Sequence, residues 1–99
     1  MEKSKENTKY QISIAPEALD DLGKLDFPVR KRITEKIDWL GENTDVLYHH
    51  QLSSLPDELK GLCRIHVGDW VVLYWIYRRA RQIKIYGVEH RSKVYRKIR

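Results

Sequence analysis

The 99-residue chain is shorter than the roughly 100–150 residues of an average domain, so several domains are excluded and we expect a single domain over residues 9–99. A single cysteine, Cys63, excludes an intramolecular disulfide and a cysteine-based zinc cluster, and it favours a reducing, cytoplasmic location. The composition is 41% apolar with a net charge of +5, and no apolar run reaches the roughly 18 residues of a membrane span, so we expect no membrane association. The polar residues 1–8 predict a flexible N-terminal tail.

The positive charge is concentrated in the last part of the chain. Residues 1–60 carry nine Lys and Arg against twelve Asp and Glu, whereas residues 61–99 carry ten against two, a net charge of +8. A surface with this excess attracts polyanions and releases their counterions on binding. Nucleic acid is therefore the first expected class of partner, ahead of an anionic membrane or an acidic protein segment.

The first half of the chain predicts a strand followed by two helices. Residues 10–14 alternate apolar and polar side chains, which is typical of a strand with one buried face. Pro16 and the apolar stripe that follows it predict a helix over residues 16–24. A second helix is predicted by apolar residues at helical spacing, namely Val29, Ile33, Ile37 and Leu40, with Gly41 at its end. The short connection predicts an antiparallel helical hairpin, and residues 42–61 predict a loop.

Three strand-like runs follow, and they predict an antiparallel meander: residues 62–67, 70–77 and 82–88. A two-residue turn at Gly68 and Asp69 would place Cys63 opposite Tyr74, Ile65 opposite Val72 and Val67 opposite Trp70. One face of the sheet is then apolar throughout. The other face carries the mixed set Arg64, His66, Val71, Leu73, Trp75, Lys84 and Tyr86.

These elements predict an α+β fold. A helical hairpin packs on the apolar face of a small antiparallel β-sheet, and the first strand adds to one edge. Residues 90–99 form a basic C-terminal helix or ordered segment, with Val94 and Ile98 as an apolar anchor that could cover part of the mixed face. We therefore expect the mixed face to be the working surface.

Several kinds of chemical site are poorly supported by the sequence. Strand alternation turns Cys63 toward the core and away from His66, which disfavours a thiol nucleophile. The four histidines have no recognisable metal-ligand spacing, and no glycine-rich phosphate loop is present, so we expect neither a metal nor a cofactor. The carboxylates of Glu17, Asp20 and Asp21 suit a solvated helix face near a positive helix N-terminus.

A cluster of cations, histidines and tyrosines remains, all from the basic part of the chain: Arg64, His66, Lys84, Tyr86, His90, Arg91 and Tyr95. It is either a solvated sheet face or a site for RNA, and composition does not favour one over the other. Metal-free RNA cleavage needs a base for the ribose 2′-hydroxyl, cations for the phosphate, an acid for the departing oxygen and a ring that holds an unstacked base. Histidine, arginine and tyrosine can fill these roles.

Several short motifs, in order and at matching spacing, resemble the RelE/ParE toxin superfamily, the small basic toxins of bacterial and archaeal type II toxin–antitoxin pairs. The most specific are residues 62–74 and residues 88–95, and the resemblance covers residues 10–96. The family fold that it implies is two helices on a curved antiparallel sheet with a C-terminal helix. The activity that it implies is an mRNA interferase, an endoribonuclease that commonly acts on mRNA in the ribosomal A site and is neutralised by an acidic antitoxin protein in a hetero-oligomer.

The resemblance also implies roles for individual residues. The candidate catalytic residues are Arg64 and Arg91 as phosphate clamps, His66 or His90 as base or acid, and Tyr95 as a stacking or proton-donating group. Further candidates for RNA binding are Lys60, Trp75, Lys84, Tyr86, Lys93, Arg96 and Lys97.

The chain departs from the family pattern at Val71, where many relatives have an arginine on the working face. Glu89 is a second departure, because some RNA-cleaving relatives have a basic residue near this point. Val71 favours an alternative function, the ParE-like poisoning of DNA gyrase, while His66, His90 and the ending of the chain favour the nuclease. A third possibility is a non-catalytic nucleic-acid-binding member of the same fold.

Overall fold

A computed structural model describes residues 9–98 of the chain, and the tail predicted over residues 1–8 lies outside the described residues. The helices and strands are β1 (Gln11–Ile14), α1 (Pro16–Gly23), α2 (Phe27–Asn43), β2 (His50–Gln51), β3 (Cys63–Val67), β4 (Trp70–Tyr77), β5 (Gln82–His90) and α3 (Val94–Lys97). Two short 3₁₀ turns, Thr44–Val46 and Asp57–Leu59, lie in the connection between α2 and β3.

The strands form a five-stranded sheet in the order β1-β5-β4-β3-β2. The meander β3-β4-β5 is antiparallel, as predicted, and β1 lies at the edge beside β5. The prediction of a wholly antiparallel sheet is wrong for β1, which runs parallel to β5. Strands far apart in sequence are not held antiparallel by a tight turn, so either direction is open to them. The sequence did not predict β2, because two residues are too few to show alternation.

The register of β3 and β4 confirms the predicted pairing. Cys63 lies opposite Tyr74, and Val67 lies opposite Trp70 at the turn. Gly68 has a φ of +60°, which the tight two-residue connection requires and glycine adopts without steric cost. The β4-β5 pairing contains a bulge beside Leu73 that was not predicted.

The helical hairpin covers the apolar face of the sheet, as predicted. α1 begins at Pro16, whose fixed φ suits a first helical turn, and α2 continues two residues beyond its predicted end at Gly41. The main core lies between the hairpin and the sheet and comprises Tyr10, Ala18, Leu22, Ile33, Ile37, Leu40, Cys63, Val72, Tyr74, Ile83, Ile85 and Val88. The hairpin therefore leaves the mixed face of the sheet for other contacts.

A polar cluster fastens the end of α2 to the β4-β5 turn. The Asp45 carboxylate accepts hydrogen bonds from the Tyr10 hydroxyl at 2.9 Å and from the Arg81 guanidinium at 3.1 Å, and Arg78 lies 3.9 Å away. The hydrogen bond from Arg81, followed by that from Tyr10, lowers the pKa of the Asp45 carboxyl below its ordinary value. The charged form of Asp45 therefore stabilises the fold.

This cluster predicts a pH-dependent effect of Asp45→Asn. A carboxyl whose pKa is lower in the folded state contributes stability above its unfolded pKa of about 3.9 and loses it as the pH falls through the folded pKa. Chemical denaturation should show the variant less stable than the wild type at pH 7, with a difference that shrinks below about pH 4. Asp38→Asn, at an exposed position of α2, is the control. A difference independent of pH would contradict the role of the charge.

Candidate functional site

The face of the sheet opposite the hairpin is partly covered. A second apolar cluster forms there from Leu59 and Leu62 in the loop before β3, Val71 and Leu73 in β4, and Ile98 after α3. The C-terminal segment thus covers part of the mixed face, as predicted, although its helix is a single turn from Val94 to Lys97. Beside α3 this face contains a small cavity.

The cavity has a volume of about 90 Å³ and brings several predicted residues together. Its lining comprises Leu52, Arg64, His66, Val71, Leu73, Arg91, Val94, Tyr95 and Ile98. Four of the five predicted catalytic residues are in this set, and among the described residues no carboxylate lines it. The walls therefore combine an apolar floor with a cationic and aromatic rim.

β3 supplies Arg64 and His66 to one side of the cavity. Alternate residues of a strand point to the same face, so these two side chains share a side while Cys63 and Ile65 face the helices. Across the β3-β4 ladder, Arg64 lies opposite Leu73 and His66 lies opposite Val71. Arg64 is half-buried and His66 is exposed, so solvent and a ligand can reach the imidazole.

Arg91, which also lines the cavity, is held by the β3-β4 turn. Its backbone N–H donates to the Asp69 carbonyl oxygen at 2.8 Å, and its side-chain Nε lies 3.5 Å from the Asp69 carboxylate. Sequence reasoning treated Asp69 only as a turn residue and missed this contact. The Gly-Asp turn therefore restrains an arginine that directly follows the neighbouring strand β5.

Tyr95 comes from the single turn of α3. Its side chain is 66% exposed, so most of the ring is free to meet a ligand, while it also lines the cavity. Val94 and Ile98, on either side of it, pack into the apolar cluster beneath. The predicted apolar anchor thus fixes the tyrosine at the mouth of the cavity.

His90 does not line the cavity. β5 extends to His90, where it pairs with Trp70, and the two rings are 5.3 Å apart in an edge-to-face arrangement. Trp70 packs against the main core on the hairpin side of the sheet, so His90 lies on that side as well. Its Nδ1 is hydrogen-bonded to the Ser92 hydroxyl at 2.9 Å.

The residues predicted for RNA binding lie outside the cavity. Trp75 and Tyr86 pack edge to face with ring centroids 5.2 Å apart, and the Trp75 indole donates to the Lys60 carbonyl oxygen at 3.1 Å. Lys84 is exposed opposite Trp75. The remaining three lie in the C-terminal segment, where Lys93 and Arg96 are exposed and Lys97 is paired with Asp21 at 3.0 Å.

Other candidate chemistries find little support in the structure. Burial raises the pKa of the Cys63 thiol, and its Sγ faces the Gly61 carbonyl oxygen at 3.5 Å, so it is a protonated core residue. Within residues 9–98 no group of His, Cys, Asp and Glu is arranged to hold a metal ion. No helix in this described range is long and apolar enough to cross a membrane.

The cavity can therefore attract and hold a phosphate group. Two guanidinium groups present paired donors to phosphate oxygens, an exposed imidazole can exchange a proton, and a phenol ring can stack on a base. Val71, which is 2% exposed, forms part of the floor and contributes no charge.

A protein-family comparison matches residues 12–95 to the ParE toxin of type II toxin–antitoxin systems. No curated protein sequence matches the chain significantly. Among solved structures, the RelBE2 toxin–antitoxin complex from Mycobacterium tuberculosis matches with a TM-score of 0.72 and 23% identity over 86% of this chain and 94% of that chain. The free E. coli toxin RelE, in a mutant form, matches with a TM-score of 0.68 and 19% identity over 91% and 94%.

An archaeal RelE–RelB complex from Pyrococcus horikoshii also matches, with a TM-score of 0.65 and 23% identity over 86% of this chain and 98% of that chain. Similarity at this identity establishes the fold, and the family match covers most of the chain. The chain is therefore a toxin of a type II toxin–antitoxin system and belongs to the RelE/ParE family.

Proposed function

We propose that this toxin is a ribosome-dependent mRNA endoribonuclease that acts in the cytoplasm. The observation that carries the proposal is the cavity of about 90 Å³ that gathers Arg64, His66, Arg91 and Tyr95 on the sheet face opposite the hairpin. These residues come from β3, from the turn after β5 and from α3, so their meeting depends on the fold and not on one charged stretch of sequence. Similarity to RelE structures supports the same reading.

In the proposed reaction, a phosphodiester of the message binds between the two arginines. The His66 imidazole removes the proton of the ribose 2′-hydroxyl, which attacks the adjacent phosphorus. Arg64 and Arg91 stabilise the negative charge that builds on the phosphate oxygens, and the Tyr95 ring stacks on an unpaired base. The P–O5′ bond breaks as the 2′ oxygen bonds to phosphorus, the departing oxygen takes a proton from a solvent water molecule, and the proton held by His66 returns to solvent. The products are a 2′,3′-cyclic phosphate and a new 5′-hydroxyl end, and no metal or cofactor takes part.

We propose an acidic antitoxin as the protein partner. Residues 61–99 carry a net charge of +8, which an acidic segment would neutralise. Toxin–antitoxin complexes among the structural matches support a hetero-oligomer of this kind. A segment that covers the cavity would exclude the message from Arg64 and Arg91.

The test is an in vitro assay with purified protein, ribosomes programmed with a labelled message, and the same message without ribosomes. We expect cleavage at defined codons that yields a 5′-hydroxyl product, and only in the presence of ribosomes. An intact message under both conditions would contradict the nuclease proposal. Cleavage of free RNA at a similar rate would contradict the ribosome dependence.

Two observations favour gyrase poisoning as a second candidate. Val71 places an apolar side chain in the cavity floor, and the matching family description is that of ParE toxins. The discriminating assay measures DNA supercoiling by gyrase with added toxin. Inhibited supercoiling beside an intact message would support this candidate, and absence of both effects would support a non-catalytic nucleic-acid-binding role.

A further inference from the structure

We propose that Asp21, in the helical layer, is a positioning residue for Tyr95. It contributes no atom to the cavity, but it holds the C-terminal turn that carries the tyrosine against the sheet. The effect on cleavage rests on the proposed nuclease function, whereas the structural part of the inference can be tested without it. The sequence prediction of a solvated Asp21 is wrong, because its side chain is only 12% exposed.

Asp21 reaches a free stretch of the edge of β5. β1 pairs with β5 only from Gln82 to Ile85, so the following residues of β5 have no strand partner on that side. The Asp21 Oδ2 accepts the Val88 backbone N–H at 2.9 Å, which satisfies a donor that the sheet leaves unpaired. The Asp21 carboxylate of α1 thus accepts a hydrogen bond that a neighbouring strand would otherwise accept at this edge.

The same carboxylate binds the ammonium group of Lys97. Lys97 Nζ lies 3.0 Å from Oδ2 and 3.3 Å from Oδ1, and its side chain is 19% exposed. A pair this removed from solvent is screened by salt much less than a surface pair. Separation of the two groups would leave each charge desolvated and without a partner, which is energetically unfavourable. The pair therefore restrains both side chains.

Gly87 leaves the space through which the Lys97 side chain reaches Asp21. A Cβ added at position 87 would lie 2.6 Å from Cδ of Lys97 and 3.1 Å from its Cε. The lysine stem therefore lies directly across the backbone of β5, where any larger residue would displace it. The same Cβ would lie 3.3 Å from Asp21 Oδ2, so a side chain at position 87 would crowd both partners of the ion pair and force the lysine stem to shift.

The ion pair affects the position of Tyr95 because Lys97 and Tyr95 belong to the same helical turn, α3. α3 has only four residues, too few to be stable as an isolated helix, so its position depends on its contacts with the body of the protein. These contacts are the apolar anchor of Val94 and Ile98, a hydrogen bond from the Tyr86 hydroxyl to the Lys97 carbonyl oxygen at 3.2 Å, and the Asp21 pair. Only the last of these joins α3 to the helical layer.

The test replaces Asp21 by asparagine, which keeps an acceptor for the Val88 N–H and removes the charge that attracts Lys97. Single-turnover cleavage on programmed ribosomes should fall about tenfold to a hundredfold, because small misplacements of a substrate-contacting group are costly. Gly87→Ala, which displaces the lysine stem and keeps both charges, should produce the same loss. Asp20→Asn, at the exposed neighbouring carboxylate on α1, should cleave at the wild-type rate. Wild-type rates in both test variants would overturn the inference.

A double-mutant cycle with Tyr95→Ala separates positioning from a general structural role. If Asp21 acts through Tyr95, Asp21→Asn should cause little further loss once the tyrosine is absent. If Asp21→Asn lowers the cleavage rate by the same factor with and without Tyr95, the inference is overturned.

Hydrogen exchange measured on the folded variants gives a readout that needs no activity. Backbone amides of residues 94–98 should exchange faster in Asp21→Asn and Gly87→Ala than in the wild type and Asp20→Asn, while the amides of β4 keep their protection. Unchanged exchange in residues 94–98 would overturn the positioning role even if the wild-type protein cleaved RNA. Faster exchange in a protein that cleaves no message would support the structural link and contradict only the proposed function.

Discussion

Replacing either Arg64 or Arg91 by alanine is expected to reduce mRNA cleavage by about 10²–10³-fold while the protein stays folded. Both arginines line the same cavity, Arg64 from β3 and Arg91 from the segment that follows β5. Each would contact the phosphate where negative charge builds in the transition state, so its loss should lower kcat more than it raises KM.

We expect both variants to fold. Arg91 makes an exposed ion pair with Asp69, and exposed pairs of this type contribute about 0–1 kcal/mol. Arg64 is half-buried on the rim of the cavity and belongs to neither apolar core cluster. Thermal unfolding should therefore distinguish loss of chemistry from loss of structure.

The matched control is Arg79→Ala. Arg79 is exposed in the turn between β4 and β5, away from the cavity, and its replacement removes the same charge from the protein. We expect cleavage by this variant to stay within about threefold of the wild type, since its charge acts only through screened, long-range attraction. Equal losses in all three variants would indicate that the arginines act only by general attraction for RNA. Full activity of both cavity variants would show that Arg64 and Arg91 do not belong to the active site.

The meander was predictable because the length of its first turn and the alternation of apolar and polar residues indicate the same strand register. A two-residue connection at Gly68 and Asp69 leaves one register that keeps apolar side chains on one face, and the structure has that register. The bulge beside Leu73 and the parallel direction of β1 were not predictable, because each depends on contacts between segments distant in sequence.

The candidate site was predictable only where strand alternation reaches it. Arg64 and His66 share a face by alternation alone, whereas the placement of Arg91 and Tyr95 beside them depends on where the C-terminal segment folds back. The position of His90 does not follow from alternation, which would place it with Lys84 and Tyr86 on the mixed face. The bulge between Ile85 and Gly87 adds one residue to β5 and reverses the alternation beyond it, and β5 also continues past its predicted end at residue 88. Two more residues of pairing place it beside Trp70 on the hairpin side.

The positions of the histidines lead to the second large expected effect. His66→Gln should reduce the cleavage rate by about 10²–10⁴-fold, the usual contribution of a positioned general acid or base. His90→Gln should change it far less, because its ring lies against Trp70 on the other side of the sheet. Both variants keep a hydrogen-bonding side chain of similar length, so their unfolding transitions should resemble that of the wild type.

The pH dependence of the rate tests the proposed proton transfer directly. A general base must be unprotonated to accept the 2′-hydroxyl proton, so the wild-type rate should rise as the pH is raised from acid. In His66→Gln this rise should disappear and leave a low rate that varies little with pH, while His90→Gln should keep the wild-type profile. If the pH dependence disappeared only in His90→Gln, then His90, on the hairpin side of the sheet, would be the residue that accepts the proton. That outcome would contradict the proposal that the cavity is the active site.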